Sequence, residues 1–263
     1  MQSLAFSPDG RRLASQYVGN RLLVWDTRSG ALLRTIAVSA NLNAWHPEGQ
    51  ILAMAYGTGV RLWNVEDGVQ GHDLPGAAGT YVKSLSFSPD GRRVAAGFHN
   101  GLIRLWNWES RELLRSWRGH EQQTSGLNFS PDGRLLASGS HDGTVSLWDG
   151  ERGEFVGQLS YGAMIYDVDF HPAGGTLAAA SEHGYIVLWD VRVSTITRRV
   201  RPGHMLNKGV LDLAWSPTGT DLLSVVERTY DVYISDVSSG QPKRRLSGFR
   251  SHAKAVDWSL DGQ

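Results

Sequence analysis

His120, Ser138 and Asp142 are the residues of this chain whose types could make a base, a nucleophile and an orienting acid. That set would suit acyl transfer, in which an imidazole held by a carboxylate takes the proton of a serine hydroxyl. The reaction also needs a glycine-framed nucleophile elbow and donors for an oxyanion, and neither accompanies these residues. The other site chemistries fail on spacing. The nine histidines include no HExxH, and His120-Glu121-Gln122-Gln123-Thr124 misses that pattern. Asp132-Gly133 and its copies lack the alternating acidic ligands of a calcium loop. There is no GxGxxG and no GxxxxGK[ST]. With no cysteine, a thiolate nucleophile, a thiolate metal site and a disulfide are all absent. The sequence thus points to no catalytic residue, no cofactor and no metal.

What positions these residues is a repeat. The stretch Gly119–Asp149 holds a Gly-His pair, a Ser-Pro-Asp-Gly turn, a Leu-Ala-Ser segment, an Asp-Gly turn and a Leu-Trp-Asp ending. The remaining segments are looser copies. Their first aromatic anchors are Phe6, Trp45, Phe87, Phe129, Phe170, Trp215 and Trp258, spaced 39, 42, 42, 41, 45 and 43 residues apart, a mean of 42. A second anchor recurs at Trp25, Trp63, Trp106, Trp148 and Trp189, and gives way to Ser235 in the sixth copy. In Ser-Pro-Asp-Gly, proline suits the second position of a type I turn and glycine the fourth. Strand-like content at a period of 40–45 marks a four-stranded propeller blade. The fourth strand of the second copy is blurred by glycines and Pro75, so it reads as a short strand or a loop.

Phe129-Ser130-Pro131-Asp132-Gly133, Leu136-Ala137-Ser138-Gly139-Ser140, Asp142-Gly143 and Leu147-Trp148-Asp149, preceded by Gly119-His120, resemble a WD40 repeat. The resemblance covers essentially the whole chain. It implies an all-β WD40 propeller of six full four-stranded blades plus the first strand of a seventh. The blades fall at about 1–39, 40–80, 81–119, 120–160, 161–205 and 206–250, with a partial one at 251–263. This copy count suggests a fragment of a seven-bladed or longer array; the alternative is a six-bladed ring with a spare tail.

In such blades His120, Ser138, Asp142 and Trp148 would form a structural hydrogen-bond network rather than a triad. A buried indole N–H needs an acceptor, and a buried carboxylate needs donors. Each bond contributes roughly 1 kcal/mol net, whereas orphaning a partner costs about 1–3 kcal/mol. The indole ring buries roughly 150–250 Å², on the order of 4–6 kcal/mol as an upper bound. Packing outweighs any one bond, so the other copies can lose the network and keep their tryptophan. The third copy has Ala96 and Asn100 in the serine and aspartate places, the fifth has Ala179 and His183, and the sixth has His204 out of register.

Composition adds limits. Lys+Arg and Asp+Glu both total 26, a net charge of zero that argues against a general nucleic-acid binder while leaving room for a local patch. No apolar run reaches membrane-spanning length. The absence of cysteine fits a reducing compartment, and the expected location is cytoplasmic. The resemblance implies a partner face built from first-strand starting positions and from residues preceding the tight-turn aspartate. Copy by copy these are Tyr81 and Lys83, Gln123 and Ser125, Met164 and Tyr166, then His99, His141 and Glu182. The expected function is a non-catalytic scaffold for a protein or peptide partner, within a larger signalling or regulatory protein. The alternative is a propeller attached to an enzyme, of the hydrolase-gating or TolB-like kind. Asn128-Phe129-Ser130 is a formal glycosylation sequon in a central strand.

Overall fold

The computed structural model describes residues 3–17, 21–38, 42–203, 208–249, 252–259 and 261–262. Each Ser-Pro-Asp-Gly segment folds back on itself in the same way. Ser7 Oγ donates to Asp9 Oδ1 at 2.6 Å, and the Gly10 N–H donates to the Ser7 carbonyl at 2.8 Å, with Gly10 at φ 68°. Ser88–Gly91 and Ser130–Gly133 repeat these bonds. Two copies put histidine in the serine place. His46 Nδ1 accepts the Glu48 N–H at 3.2 Å, and His171 Nδ1 accepts the Ala173 N–H at 3.0 Å. With Nδ1 accepting, Nε2 carries the proton. It donates across the blade seam to a turn glycine of the next blade, Gly91 O at 2.8 Å and Gly219 O at 3.2 Å.

These turns organise six antiparallel four-stranded sheets, each taken in chain order. The first holds β1 (Ser3–Phe6), β2 (Arg12–Tyr17), β3 (Arg21–Asp26) and β4 (Leu32–Ala37); the second holds β5 (Asn43–Trp45), β6 (Ile51–Tyr56), β7 (Gly59–Asn64) and β8 (Val69–Leu74). The third holds β9 (Val82–Phe87), β10 (Arg93–Phe98), β11 (Leu102–Asn107) and β12 (Leu113–Arg118); the fourth holds β13 (Thr124–Phe129), β14 (Leu135–Ser140), β15 (Thr144–Asp149) and β16 (Phe155–Ser160). The fifth holds β17 (Ile165–Phe170), β18 (Thr176–Ser181), β19 (Ile186–Asp190) and β20 (Thr195–Val200); the sixth holds β21 (Val210–Trp215), β22 (Asp221–Val226), β23 (Val232–Asp236) and β24 (Pro242–Leu246). The architecture is an all-β propeller, and no helix occurs among the described residues. The ambiguous fourth strand of the second copy is the ordinary strand β8, because Pro75, Gly76 and Gly79 fall after it rather than within it.

The core lies between blades. Ala95, Ile103 and Leu105 of the third sheet pack on Leu127, Phe129, Leu136 and Trp148 of the fourth. The inner strands approach so closely that a Cβ added at Gly126 would stand 2.7 Å from the Val168 nitrogen. Indoles sew neighbouring inner strands together: Trp45 Nε1 donates to Ala5 O at 3.0 Å, and Trp215 Nε1 to Asp169 O at 3.1 Å. Trp258 continues the series, donating to Ala214 O at 3.1 Å. Residues 252–259 thus occupy an inner position between the sixth sheet and the first. No strand ladder is formed there among the described residues.

A second set of struts joins the outer rims. Arg34, Arg115, Arg198 and Arg244 hold one register position, opposite Val24, Leu105, Leu188 and Ile234. Arg34 Nη2 donates to Glu66 O at 2.9 Å and Arg115 Nη1 to Arg152 O at 2.9 Å, each carbonyl lying in the outer hairpin turn of the next blade. These bonds are exposed, so each contributes about 1 kcal/mol. Arg115→Ala should lower stability by that amount in a denaturant titration. Arg198→Ala, which removes no such bond, should cost measurably less.

Candidate functional site

The fourth blade gathers the residues that first suggested catalysis. β13 and β14 pair so that Ser138 lies opposite Leu127, while Ser138 and Ser146 are partners across β14 and β15. Trp148 Nε1 donates to Ser138 Oγ at 2.8 Å. His120 Nε2 stands 2.7 Å from the same oxygen, and His120 Nδ1 is 3.1 Å from Asp142 Oδ2. One proton arrangement satisfies all four: indole N–H to serine oxygen, serine O–H to Nε2, Nδ1–H to carboxylate. Ser138 is fully buried, and its hydroxyl serves an indole rather than facing a cleft.

Asp142 also accepts from the Glu121 N–H at 3.1 Å, the Thr144 N–H at 3.0 Å and the Thr144 hydroxyl at 2.6 Å. Burial by itself would raise this carboxyl. The bonds from His120 and Thr144 win, and hold it far below the usual carboxylate range. Thr144 is a member that the sequence pattern did not single out; a threonine two residues after a turn aspartate was the available signal. In the third blade the corresponding Trp106 is fully buried and its Nε1 has no acceptor, since Ala96 stands where a serine would. In the fifth, Ala179 and His183 bring Tyr161 into contact with His183 at 6.4 Å instead. His204 lies outside the described residues. The first blade keeps part of the network: Trp25 Nε1 donates to Ser15 Oγ at 2.8 Å.

The nine positions expected on a partner face divide into two groups. Tyr81 stacks on His99 at 4.7 Å, with Lys83 Nζ 5.6 Å from the Tyr81 ring. His99 Nδ1 lies 3.0 Å from Gln123 Oε1, Gln123 Nε2 lies 2.7 Å from His141 Nε2, and His141 meets Tyr166 edge-on at 5.2 Å. Burial, then the charge of Lys83, depresses the His141 pKa, with Glu182 opposing. Neutral His141 can therefore accept at Nε2 from the Gln123 amide. Ser125 and Met164 do not join this strip. Ser125 Oγ turns into the seam and donates to Ile165 O, and Met164 is half-buried with its carbonyl accepting the Glu182 N–H at 2.9 Å.

Sequence reading missed the axial channel. A cavity of about 350 Å³ is lined by residues of all the inner strands and of 254–257, including Asp167, Asp169, Asp212 and Asp257. Each carboxylate caps a backbone N–H of the next inner segment: Asp169 Oδ2 takes Trp215 N at 3.0 Å, Asp212 Oδ2 takes Val256 N at 2.7 Å, and Asp257 Oδ2 takes Phe6 N at 2.7 Å. Asp167 Oδ2 reaches Leu213 N at 3.4 Å. Asn128, the sequon residue, does the same with Phe170 N at 3.1 Å. These side chains keep a little surface toward the channel, yet they sit deep in the molecule, and desolvation governs them. It pushes Asp169 and Asp257 up to about 7 and Asp212 to about 6. Asp167 is driven well above its ordinary value by burial and then by the neighbouring Asp212. No group of three or more His, Cys, Asp or Glu arranged to hold a metal ion occurs among the described residues.

Ring, seams and buried indole network together define a repeat-built β-propeller. Three segments of it match the family model described as "WD domain, G-beta repeat", at residues 68–107, 111–149 and 153–190. Each match starts at or near the outer strand of one blade and ends with the three inner strands of the next, so the sequence repeat straddles the seam. The chain is a β-propeller in which three segments are WD40 repeats. Among similar proteins, "Telomerase protein component 1" of Mus musculus is 39% identical over 105 residues, 39% of this chain and 4% of that protein. "Small ribosomal subunit protein RACK1" of Schizosaccharomyces pombe is 30% identical over 116 residues, 40% of this chain and 37% of its own. The rice protein "Small ribosomal subunit protein RACK1y" is 30% identical over 114 residues, 40% of this chain and 34% of that protein. The chain therefore spans well under half the length of these curated relatives.

Proposed function

We propose that residues 1–263 act as one non-catalytic propeller domain that holds a protein or peptide partner, in the cytoplasm, within a signalling or regulatory assembly. The observation that carries this reading is the unbroken series Tyr81, His99, Gln123, His141 and Tyr166, in which side chains from three consecutive blades touch on one face. Tyr81 is 48% exposed, an aromatic ring already held in place by its stack on His99. Rigid aromatic anchors of this kind concentrate binding energy, because little side-chain entropy is left to lose. Lys83 beside Tyr81 and Glu182 beside Tyr166 give the strip opposite charges at its two ends. That polarity would set the direction in which a peptide lies. Catalysis has little support, since the Ser138-His120-Asp142 set serves an indole and lies buried.

The test is selection of peptides from a random displayed library against the full chain. Selected peptides should lose about 10-fold or more in affinity on Tyr81→Ala or Tyr166→Ala, the range of an interface hot spot. Peptides that ignore both changes, with Tm unaltered, would remove this face from the proposal.

A further inference from the structure

The overall charge balance conceals a division along the chain. Residues 1–190 carry 15 basic and 19 acidic side chains, whereas residues 191–263 carry 11 and 7, a net −4 against +4. Part of the positive excess sits on the outer rim of the fifth blade. Arg198 and Arg199 on β20 are exposed, and Arg201 follows directly after the strand. None of the three has a carboxylate partner among the described residues; Arg192, on the turn before β20, is by contrast bidentate to Asp190. Two of the three rest on aromatic rings instead. The Arg199 guanidinium lies 5.8 Å from the Tyr161 ring centre and that of Arg201 lies 5.2 Å from Tyr185. Arg201 Nε is covered and has no acceptor among the described residues. His183, exposed, stands 6.4 Å from Tyr161 and completes the cluster.

This cluster occupies the place where the fourth blade buries its His120–Asp142 pair. Tyr161 follows its outer strand as Gly119-His120 follows β12, and His183 replaces the aspartate. Loss of the carboxylate removes the charge that would otherwise attract an arginine. The result is a rim with free guanidiniums, fixed on tyrosine faces, beside an exposed imidazole. Guanidinium and imidazole planes can stack on unpaired bases, and the guanidinium N–H groups can bind phosphate. Arginine suits both tasks better than lysine, because its planar fork combines stacking with bidentate bonding.

We infer that the rim formed by Tyr161, His183, Tyr185, Arg199 and Arg201 is a binding surface for single-stranded nucleic acid, separate from the partner strip on Tyr81–Tyr166. Arg199 and Arg201 take successive phosphates, and His183 and the outer face of the Arg199 guanidinium take bases. A duplex, whose bases are stacked on each other, offers this surface only its phosphates.

The test is fluorescence anisotropy of the full chain with a labelled 12-nucleotide single-stranded RNA, the same sequence as DNA, its duplex and a poly-glutamate peptide. The single strands should bind with a log–log salt slope of roughly −0.7 for each phosphate engaged, hence about −1.4 for two. Arg199→Glu should weaken binding about 10-fold or more, and His183→Ala about 5-fold, as loss of one stacked base implies. Arg28→Glu, an exposed change on the first blade, should leave it unaltered. Arg201→Gln, which keeps the size of a half-buried side chain, supplies a second readout in the same direction. Equal affinity for duplex or for poly-glutamate would overturn the inference, as would indifference to Arg199→Glu or no binding at 50 mM salt. The partner strip would be untouched by that failure, because it is read with Tyr81 and Tyr166 variants.

Discussion

Asp142→Ala should destabilise the propeller by about 3–5 kcal/mol, the cost of removing one member of a buried charged and hydrogen-bonded set. The change strips the acceptor from His120 Nδ1, the Thr144 hydroxyl and two backbone N–H groups at once. His120 is 4% exposed, so water cannot readily replace what is lost. For a chain of this size that cost implies a fall in Tm of roughly 6–12 °C. Trp148→Phe isolates one link. It removes the indole N–H and leaves Ser138 bonded to His120, so about 1–2 kcal/mol is expected beyond the change in ring size. Trp106→Phe is the control, because that indole has no acceptor to lose. The difference between the two tryptophan variants in chemical denaturation measures the network directly. Equal costs would mean that packing alone holds the fourth blade.

How much of this could be read in advance depends on what a residue's neighbours in sequence reveal. Turn chemistry is local, so Ser7-Pro8-Asp9-Gly10 and its copies announce themselves, as do the tryptophans of the third strands. Seam chemistry is not local. His46 and His171 look like turn variants, yet their second nitrogens reach Gly91 and Gly219 some 45 and 48 residues away. The arginine struts surface only when the outer strands are aligned on their partners across each hairpin. The channel aspartates were hidden for a different reason. Asp167 and Asp169 alternate with apolar residues in β17, and Asp212 stands between two leucines in β21, the pattern of a strand with one wet face. In a ring that second face looks onto a narrow axis, not onto bulk water. A signal did exist: Asn128, Asp169 and Asp257 each precede their first-strand anchor by one position. The copy-by-copy alignment named Tyr81, Lys83, His99, Gln123, His141 and Tyr166 for a partner face, and in the structure these side chains lie beside one another. It did not foresee Ser125 turning into the seam, because a serine hydroxyl takes the nearest free carbonyl, here that of Ile165.

Stability should be greatest near pH 4 and should fall as pH rises from there to about 7. In the folded ring Asp169 and Asp257 titrate at about 7 and Asp212 at about 6, against an ordinary value of 3.8. The folded state thus binds protons that the unfolded chain has already released. The stability these protons contribute is complete below about pH 4 and is lost as pH rises through 6 and 7. Each group that retains its proton adds a slope of about 1.4 kcal/mol per pH unit across that window. The other charged groups facing the channel, Lys83 and Lys254, line its wall but do not figure among the causes of these shifts. At the acid end Asp142 acts in the opposite sense: its depressed value gives stability present above 3.8 and lost as pH falls further. The optimum lies between these limbs. Asn128 indicates the variant that tests it, since a neutral amide already holds Phe170 N as Asp169 holds Trp215 N. Asp169→Asn should raise Tm at pH 8, leave it nearly unchanged at pH 4, and flatten the profile between; Asp212→Asn should do the same with its midpoint nearer 6. A profile flat from pH 4 to 7 in the unaltered protein would show that the channel carboxylates are hydrated well enough to ionise as they do in water. The seams would then owe their hold to the capping bonds and the indoles alone.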